Sequence, residues 1–518
     1  MHRLLLLLIV FPLLGSVAVS QLQATSGVWL RGGIDSTTQA LVSFGPTTDT
    51  RYVGLTFRDT LALPTGRVLR SRGSSDVAIL VFDRQWQLVG HDHVGGPGRD
   101  SIVAMATTSA GNGIAAIAAC GDVETPTTCR VGNVTLSGRG GFDIVLTSWN
   151  PDASPRWSRL DGGSAADLPA AIGIDPQGGV VVSATYVGAT RIDTMVRRDA
   201  ASTSMLLVRY SEQGIAEWCT STVSSDDDVD VPRGLAIAGP MCHVDADRIT
   251  AVAAAAGTVG LADMLSRDVN TSFETYPYTV IVDRRSGMPV AWNRINHCRG
   301  DSLAATVVGA TRVSAIVEPR FCQPGTEPAL RMYIGDERRT YVPGGMHTNV
   351  VVAAPMQSLV VLGGRYERSL LFDSVSRRPD LVAGSSSLQD GWVATVAING
   401  SMQSALSVQA ETWAQVTGIS TRTNHIAIAA VARGAIRATE PPLGATGETG
   451  VAILLAVEPT LGVRTPAIPS DADGGSVHAI WTLDGRYAGA DIRQLAPGVY
   501  VGHRVGTAPF PILVGIDD

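Results

Sequence analysis

The chain contains no lysine: all 40 of its basic residues are arginine, against 47 acidic ones, for a formal net charge of −7. That absence excludes Schiff-base nucleophiles, a Walker-A phosphate clamp and a Ser–Lys hydrolase. No Arg-rich run breaks the mildly acidic sequence, which argues against nucleic acid or anionic lipid as a main partner. Aromatic residues make up only 5% of the 518 positions. There is no H-E-x-x-H, no G-x-S-x-G and no C-x-x-C, so the usual zincin, serine-hydrolase and zinc-ribbon patterns are missing. Beyond the N-terminus no stretch reaches about 18 uninterrupted apolar residues, so no transmembrane helix is predicted for the mature chain.

What is present is a repeat. Units of roughly 50–75 residues, the length range of one supersecondary unit in an array, open with an apolar strand, turn, and place an aromatic at the fifteenth position. The clearest copies are Asp143 to Trp157, Ser204 to Trp218, Tyr278 to Trp292 and Glu327 to Tyr341. Further unit starts at Asp76, Gly391 and Gly450 complete the series. The runs are short, rich in Val, Ile, Ala and Thr, and bounded by Gly, Pro, Asp and Ser, which is strand chemistry. Units this small cannot bury their own apolar faces and must stack on one another. Asp35, Asp100, Asp167, Asp230 and Asp301, with Asn349 in a sixth copy, recur ahead of one strand of each unit. A residue repeated once per unit reads as a turn or cap accepting backbone N–H groups, not as a catalytic acid.

The ends complete one another. Residues 450–465 read as the first part of a unit and residues 28–75 as the remainder of one. Joined, they form a single blade from both termini, which is how a β-propeller hides its edge strands. The fold predicted is therefore all-β: a seven-bladed propeller, with six or eight blades as alternatives, followed by a small C-terminal β-sandwich-like segment. The predicted boundaries are a signal peptide over 1–20, the propeller over 21–465, a linker over 466–475 and the C-terminal segment over 476–518. Arg3, the apolar run Leu4 to Leu14 and Ala18-Val19-Ser20 carry the signal-peptide reading. Removing them takes away Arg3 and no acid, so −7 becomes −8.

An even cysteine count in an exported chain predicts disulfides. Of the fifteen pairings open to six cysteines, the one taken in order joins Cys120 to Cys129, Cys219 to Cys242 and Cys298 to Cys322, each within one unit. Free buried thiols are the alternative. The remaining candidates are thin. His91-x-His93 can pair on a metal, but such loop histidines, like His347, usually only meet solvent. Asp226-Asp227-Asp228 with Asp230 supplies hard oxygen ligands of the kind calcium takes, without an EF-hand's glycine and closing glutamate. No cofactor and no catalytic residue is predicted.

Two resemblances cover different parts of the chain. The unit WSRLDGGSAADLPAAIGIDPQGGVVVSATYVG over 157–188 and the junction over 53–80 resemble the propeller repeats of large exported bacterial surface proteins. That likeness implies fold and says almost nothing of activity. The segment 283–292 is similar to one repeat of quinone-dependent dehydrogenase propellers, whose quinone site includes a lysine this chain lacks. In the tail, Asp484-Gly485-Arg486 and Pro497-Gly498-x-Tyr500, with a last apolar run from Ile512 to Ile516, resemble the sorting domain of the bacterial type IX secretion system. The basic residues usual before that last strand are replaced by Ala508-Pro509-Phe510-Pro511. The resemblance implies passage through the outer-membrane secretion machinery and a secreted or cell-surface location. The function expected is a binding or adhesion module for an extracellular glycan or protein. A hydrolase or lyase with its site at the propeller axis, and a structural surface-layer protein, are the alternatives.

Overall fold

The computed structural model describes residues 20–457, apart from 46–48, 109, 121–127, 225–234, 262–264, 271–275, 296–301, 309–310, 319–328, 335–336, 344–348, 368, 372–380, 383–388, 399–401, 439–441 and 445–447, and in the tail 479–482, 487–489, 498–503 and 510–514. The chain divides into two compact units, residues 1–458 and 459–518. Among the described residues every regular element is a β-strand, so the protein is all-β, as its β-branched runs predict.

The recurring element is an antiparallel meander of four strands. In one copy Asp167–Ile174, Val180–Ile192, Met195–Tyr210 and Ala216–Ser224 pair in sequence order. The same order recurs over 40–95, 101–163, 235–294, 302–343 and 349–408. A further set, Trp413–Arg422, His425–Arg433 and Thr449–Val457, takes its fourth strand, Gln23–Gly33, from the other end of the unit. Val28 lies opposite Ile453 and Leu30 opposite Val451 in that pairing. The repeat starts that lie among the described residues fall on third strands: Asp76 opens Asp76–Phe82, Tyr278 lies in Tyr276–Asp283 and Gly450 in Thr449–Val457. The sequence unit is thus the meander displaced by two strands.

Burial explains the strand composition. Asp76–Phe82 is buried at every residue, because neighbouring meanders cover both of its faces. Such a strand reads as a continuous apolar run instead of an alternation. Fourth strands are outermost: Pro155–Gly163 is exposed at its start and buried only at its end.

Two of the repeat aromatics, Trp157 and Trp218, sit on fourth strands and reach the next meander. The Trp157 indole N–H donates to the Glu212 carbonyl at 2.9 Å, and that of Trp218 to the Arg284 carbonyl at 3.0 Å. Both acceptors belong to the turn between the third and fourth strands of the following meander. Each ring lies flat over a turn glycine, Gly214 (φ +76°) or Gly287 (φ +70°), where an added Cβ would stand 2.6 Å from Cε3 of the indole. In the first unit the fifteenth position is Gly90, and the chemistry is exchanged: the Asp152 carbonyl presses on Gly90 and Ala153, at φ 65°, supplies the methyl group. Trp86 takes the equivalent turn position in its own meander and donates to Ser26 Oγ at 3.0 Å.

A second tie runs along the opposite ends of the strands. Hairpin arms from one meander extend its sheet and pair with the fourth strand of the meander before it. Thr190 and Arg191 pair with Gly163 and Gly162, Leu261 with Thr222, Arg130 with Gly95, and Ala62 with Arg31. Two R-G-x-x-D segments lock these junctions. Arg72 Nη1 donates to the carbonyls of Gly95 and Arg130, and Arg139 Nη1 to those of Gly162 and Arg191. In both, the arginine's own backbone N–H is accepted by the aspartate four residues on, Asp76 or Asp143.

The tail unit is one antiparallel sheet in which Ala479–Thr482 pairs with Tyr487–Gly489 and Gly498–His503, and Gly498–His503 with Phe510–Val514. Among the described residues it is a single layer, where a sandwich-like segment is predicted from sequence: each of its few short strands pairs laterally into the same sheet.

Gly214→Ala places a methyl group against the Trp157 ring in a conformation L-residues disfavour, and should destabilise the chain by about 2–4 kcal/mol. Gly66→Ala, with φ +81° and open space around it, carries the conformational cost alone, about 1 kcal/mol. Chemical denaturation of both variants checks the difference; equal losses would remove the ring-on-glycine contact from the account.

Candidate functional site

First strands of successive meanders lie side by side and leave a cavity of about 630 Å³ among them. Its wall is built from 39, 41–44, 103–107, 170–172, 240–243, 304–306, 353–355 and 417–422. Alanine, threonine and serine recur along these strands beside larger apolar residues such as Leu41, Met105 and Ile172, and the small side chains leave space between the strands. Pairs of them run in the same direction: Thr417 Oγ1 donates to Ala40 O, Ser420 Oγ accepts from Phe44 N, and Arg422 Nη1 donates to Gly45 O, in ascending order.

Apart from one parallel bridge of Trp413 to Gln389, a described first strand pairs along one edge, with the second strand of its own meander, and its other edge is left to the cavity. Hydroxyls bridge those edges. Ser43 and Thr107 hydroxyls meet at 2.6 Å, Thr107 donates to the Phe44 carbonyl, and Thr421 donates to the Pro355 carbonyl. Among the described lining residues the basic side chains are Arg422 and His243, and none is a carboxylate. Each lies near the C-terminal end of its first strand, in meanders that are not neighbours. Burial pushes the His243 pKa down, against the pull of Asp245, so the imidazole is neutral at pH 7. The wall therefore offers hydroxyls, backbone carbonyls, one fixed guanidinium and one neutral imidazole: equipment for holding a polar ligand.

The repeated aspartates cap backbone, as their once-per-unit spacing predicts. Asp100 Oδ2 accepts from Gly96 N at 2.8 Å, Asp167 Oδ2 from Gly163 N at 2.7 Å, and Asp35 Oδ1 from Thr37 N at 2.8 Å. Asn349 opens Asn349–Met356 opposite Arg365, while Asp230 and Asp301 lie outside the described residues. Asp167 is fully buried, and that burial, with the nearby Asp143 carboxylate adding to it, raises its pKa to about 7. Burial likewise raises Asp143 and Asp161, the latter despite the Tyr210 hydroxyl it accepts from at 2.8 Å.

The structure corrects the cysteine pairing. Cys129, Cys219 and Cys242 are free and buried, so the predicted bridges from Cys120 to Cys129 and from Cys219 to Cys242 are not formed. Cys219 lies on the outermost strand of its meander opposite Val208, and Cys242 lies on the innermost strand of the next, opposite Ala251. The two side chains belong to different core clusters, which is why closeness in sequence does not bring them together. Burial raises both thiols to about 12. The side chain of Cys120 is outside the described residues, as are Cys298 and Cys322.

Of the other candidates, His93 is held by Asp76 Oδ2 at 2.5 Å as part of the arm junction, and its neighbour His91 is pushed down in pKa by burial. Asp226, Asp227, Asp228, Asp230 and His347 lie outside the described residues, as do Asp484, Gly485, Arg486 and Pro497 in the tail. Gly498 and Tyr500 are on Gly498–His503, with Tyr500 opposite Ile512. The cavity residues Arg422 and His243 were not singled out by sequence, since nothing local marks them; the once-per-unit small-residue run was the available signal.

Two measurements follow from these groups. A carboxyl whose folded pKa is raised stabilises the fold fully below its ordinary value of 3.8 and loses that contribution as pH rises through about 7. Asp167→Asn keeps the acceptor oxygen and removes the titration, so stability measured by denaturant should vary less across that window than in the parent chain; an unchanged pH profile would contradict the assignment. Thiol titration without reductant should find Cys129, Cys219 and Cys242 unreactive in the native chain and reactive once it is unfolded.

No family model matches the chain, and a search of curated proteins finds no match. Among solved structures, the quinohemoprotein alcohol dehydrogenase from Comamonas testosteroni is similar over 85% of this chain and 77% of that one, at 10% sequence identity and a TM-score of 0.32. The polysaccharide lyase Uly1 is similar over 85% of this chain and 100% of that one, at 7% identity and a TM-score of 0.43. This is a distant likeness in shape to β-propeller proteins, and it does not extend to activity.

Proposed function

We propose that the chain is an exported, seven-bladed β-propeller, closed by strands from both ends of its first unit, that binds a glycan or protein ligand outside the cell. The observation that carries the binding role is the cavity wall, where hydroxyls, carbonyls, Arg422 and His243 from separate meanders face one space. Support for the blade count comes from the meanders over 40–95, 101–163, 167–224, 235–294, 302–343 and 349–408 and the set completed by Gln23–Gly33. Support for closure comes from the contact of Trp413–Arg422 with Ala40–Phe44. The apolar N-terminus and the tail pattern at Gly498 and Tyr500 motivate the export and surface reading. An axial hydrolase or lyase is the second reading, favoured by one observation: a neutral, half-buried His243 can accept a proton at pH 7.

The full chain, immobilised and exposed to arrays of extracellular glycans and to surface proteins of the producing cells, should retain a ligand saturably and release it unchanged. Ligand recovered cleaved, in amounts growing with time, would replace the binding reading with the enzymatic one. Fractionation of those cells with mass spectrometry of both termini should place a chain starting near Gln21 at the surface or in the medium; full-length protein in the periplasm would overturn the sorting reading.

A further inference from the structure

We propose that the cavity takes a sugar acid, its carboxylate held at the Arg422–His243 end and its hydroxyls against the serine- and threonine-bearing wall. The inference rests on the binding reading above and adds the charge and class of the ligand.

The distribution of charge is the first argument. The whole chain carries an excess of acid, −7 in formal charge, yet the described lining residues include an arginine, a histidine and no carboxylate. Arg422 thus gives the described lining a net positive charge within an acidic chain, and a charge set in a partly desolvated wall acts more strongly on an entering anion than it would in bulk water. Asp245, the acid whose charge acts on His243, is turned to its own loop, where its Oδ1 accepts the backbone N–H groups of Asp247 and Arg248.

Geometry is the second argument. Arg422 is the last residue of its strand, and its Nη1 is committed to the Gly45 carbonyl across the junction with the neighbouring meander. That bond holds the guanidinium in place before any ligand arrives, so little side-chain freedom is lost on binding. A planar guanidinium matches a carboxylate with two parallel hydrogen bonds, which a sugar hydroxyl cannot do. The neutral imidazole of His243 adds a donor and an acceptor without competing charge.

Size and lining are the third. At about 630 Å³ the cavity lies within the range of small-ligand sites, roughly 300–1,000 Å³. Among the described lining residues the one Phe, Tyr or Trp is Phe44, while Thr306, Thr417, Ser420 and Thr421 contribute hydroxyls. A ligand rich in hydroxyls and carrying one anionic group fits this wall better than a neutral sugar that depends on ring stacking.

Isothermal titration of the purified full chain with D-glucuronate, D-glucose and sulfate tests this. Glucuronate should bind saturably, and glucose and sulfate at least tenfold more weakly. Arg422→Gln should erase the preference for glucuronate over glucose, and Arg422→Lys should restore part of it. Ala106→Trp, which places a bulky ring in the wall, should abolish binding of every probe. If Arg422→Gln lowers the melting temperature through its lost contact with Gly45, His243→Gln carries the same comparison with an expected several-fold loss. Equal binding of glucose and glucuronate, abolished by Ala106→Trp, would leave a cavity that binds sugars and overturn the acid assignment. Sulfate binding as well as glucuronate would overturn the sugar assignment. No binding of any probe would overturn the inference, while the array experiment decides the binding reading separately.

Discussion

A four-stranded sheet has two apolar faces and no means of covering either, and everything else in the larger unit follows from that constraint. Each meander is covered by the ones before and after it, which is why third strands such as Asp76–Phe82 are buried along their whole length. Stacking alone is non-directional. The Trp157 and Trp218 rings give it a register. Each indole lies on a glycine of the neighbouring turn and donates its N–H to a carbonyl of that same turn, so the contact fixes position as well as burying area. At Gly90 the same interface is made the other way round, with the small residue on the fourth strand and Ala153 on the neighbouring turn.

The arms answer a different problem. Fourth strands are edges, and an unpaired edge invites association with other chains. Pairing of an arm with the preceding fourth strand covers part of that edge, and the arginines Arg72 and Arg139 hold the carbonyls left over at the junction. Of the aspartates that repeat through the sequence, Asp100 and Asp167 serve the same end, accepting backbone N–H groups where the chain turns from one meander to the next. Buried carboxyls are the cost of this arrangement, and the raised pKa of Asp167 measures it.

The cavity is a by-product of convergence turned to use. Small side chains recur along the strands that meet, and they leave backbone edges and hydroxyls facing one space. Arg422 and His243 stand out there because the other described lining residues are uncharged, a mixture of small, hydroxyl-bearing and apolar side chains. Function in such a fold resides in those few residues, and the scaffold holds them without specifying what they bind.

What the sequence determined by itself was local and periodic. Alternating and continuous Val, Ile and Ala runs bounded by Gly and Asp announce strands, and an aromatic at the fifteenth position announces a repeated interface, because those signals act within a few residues. The joining of residues 28–33 with 450–457 was also legible, each being half of a unit found whole elsewhere. Tertiary structure decided the rest. The phase of the repeat is invisible in a periodic sequence, and only pairing shows that Asp76 and Tyr278 belong to third strands. Cys219 and Cys242 are close in sequence and yet free, because one lies on an outermost strand and the other on an innermost one. Arg422 and His243 come from distant parts of the chain, and no local pattern relates two residues that share only a cavity.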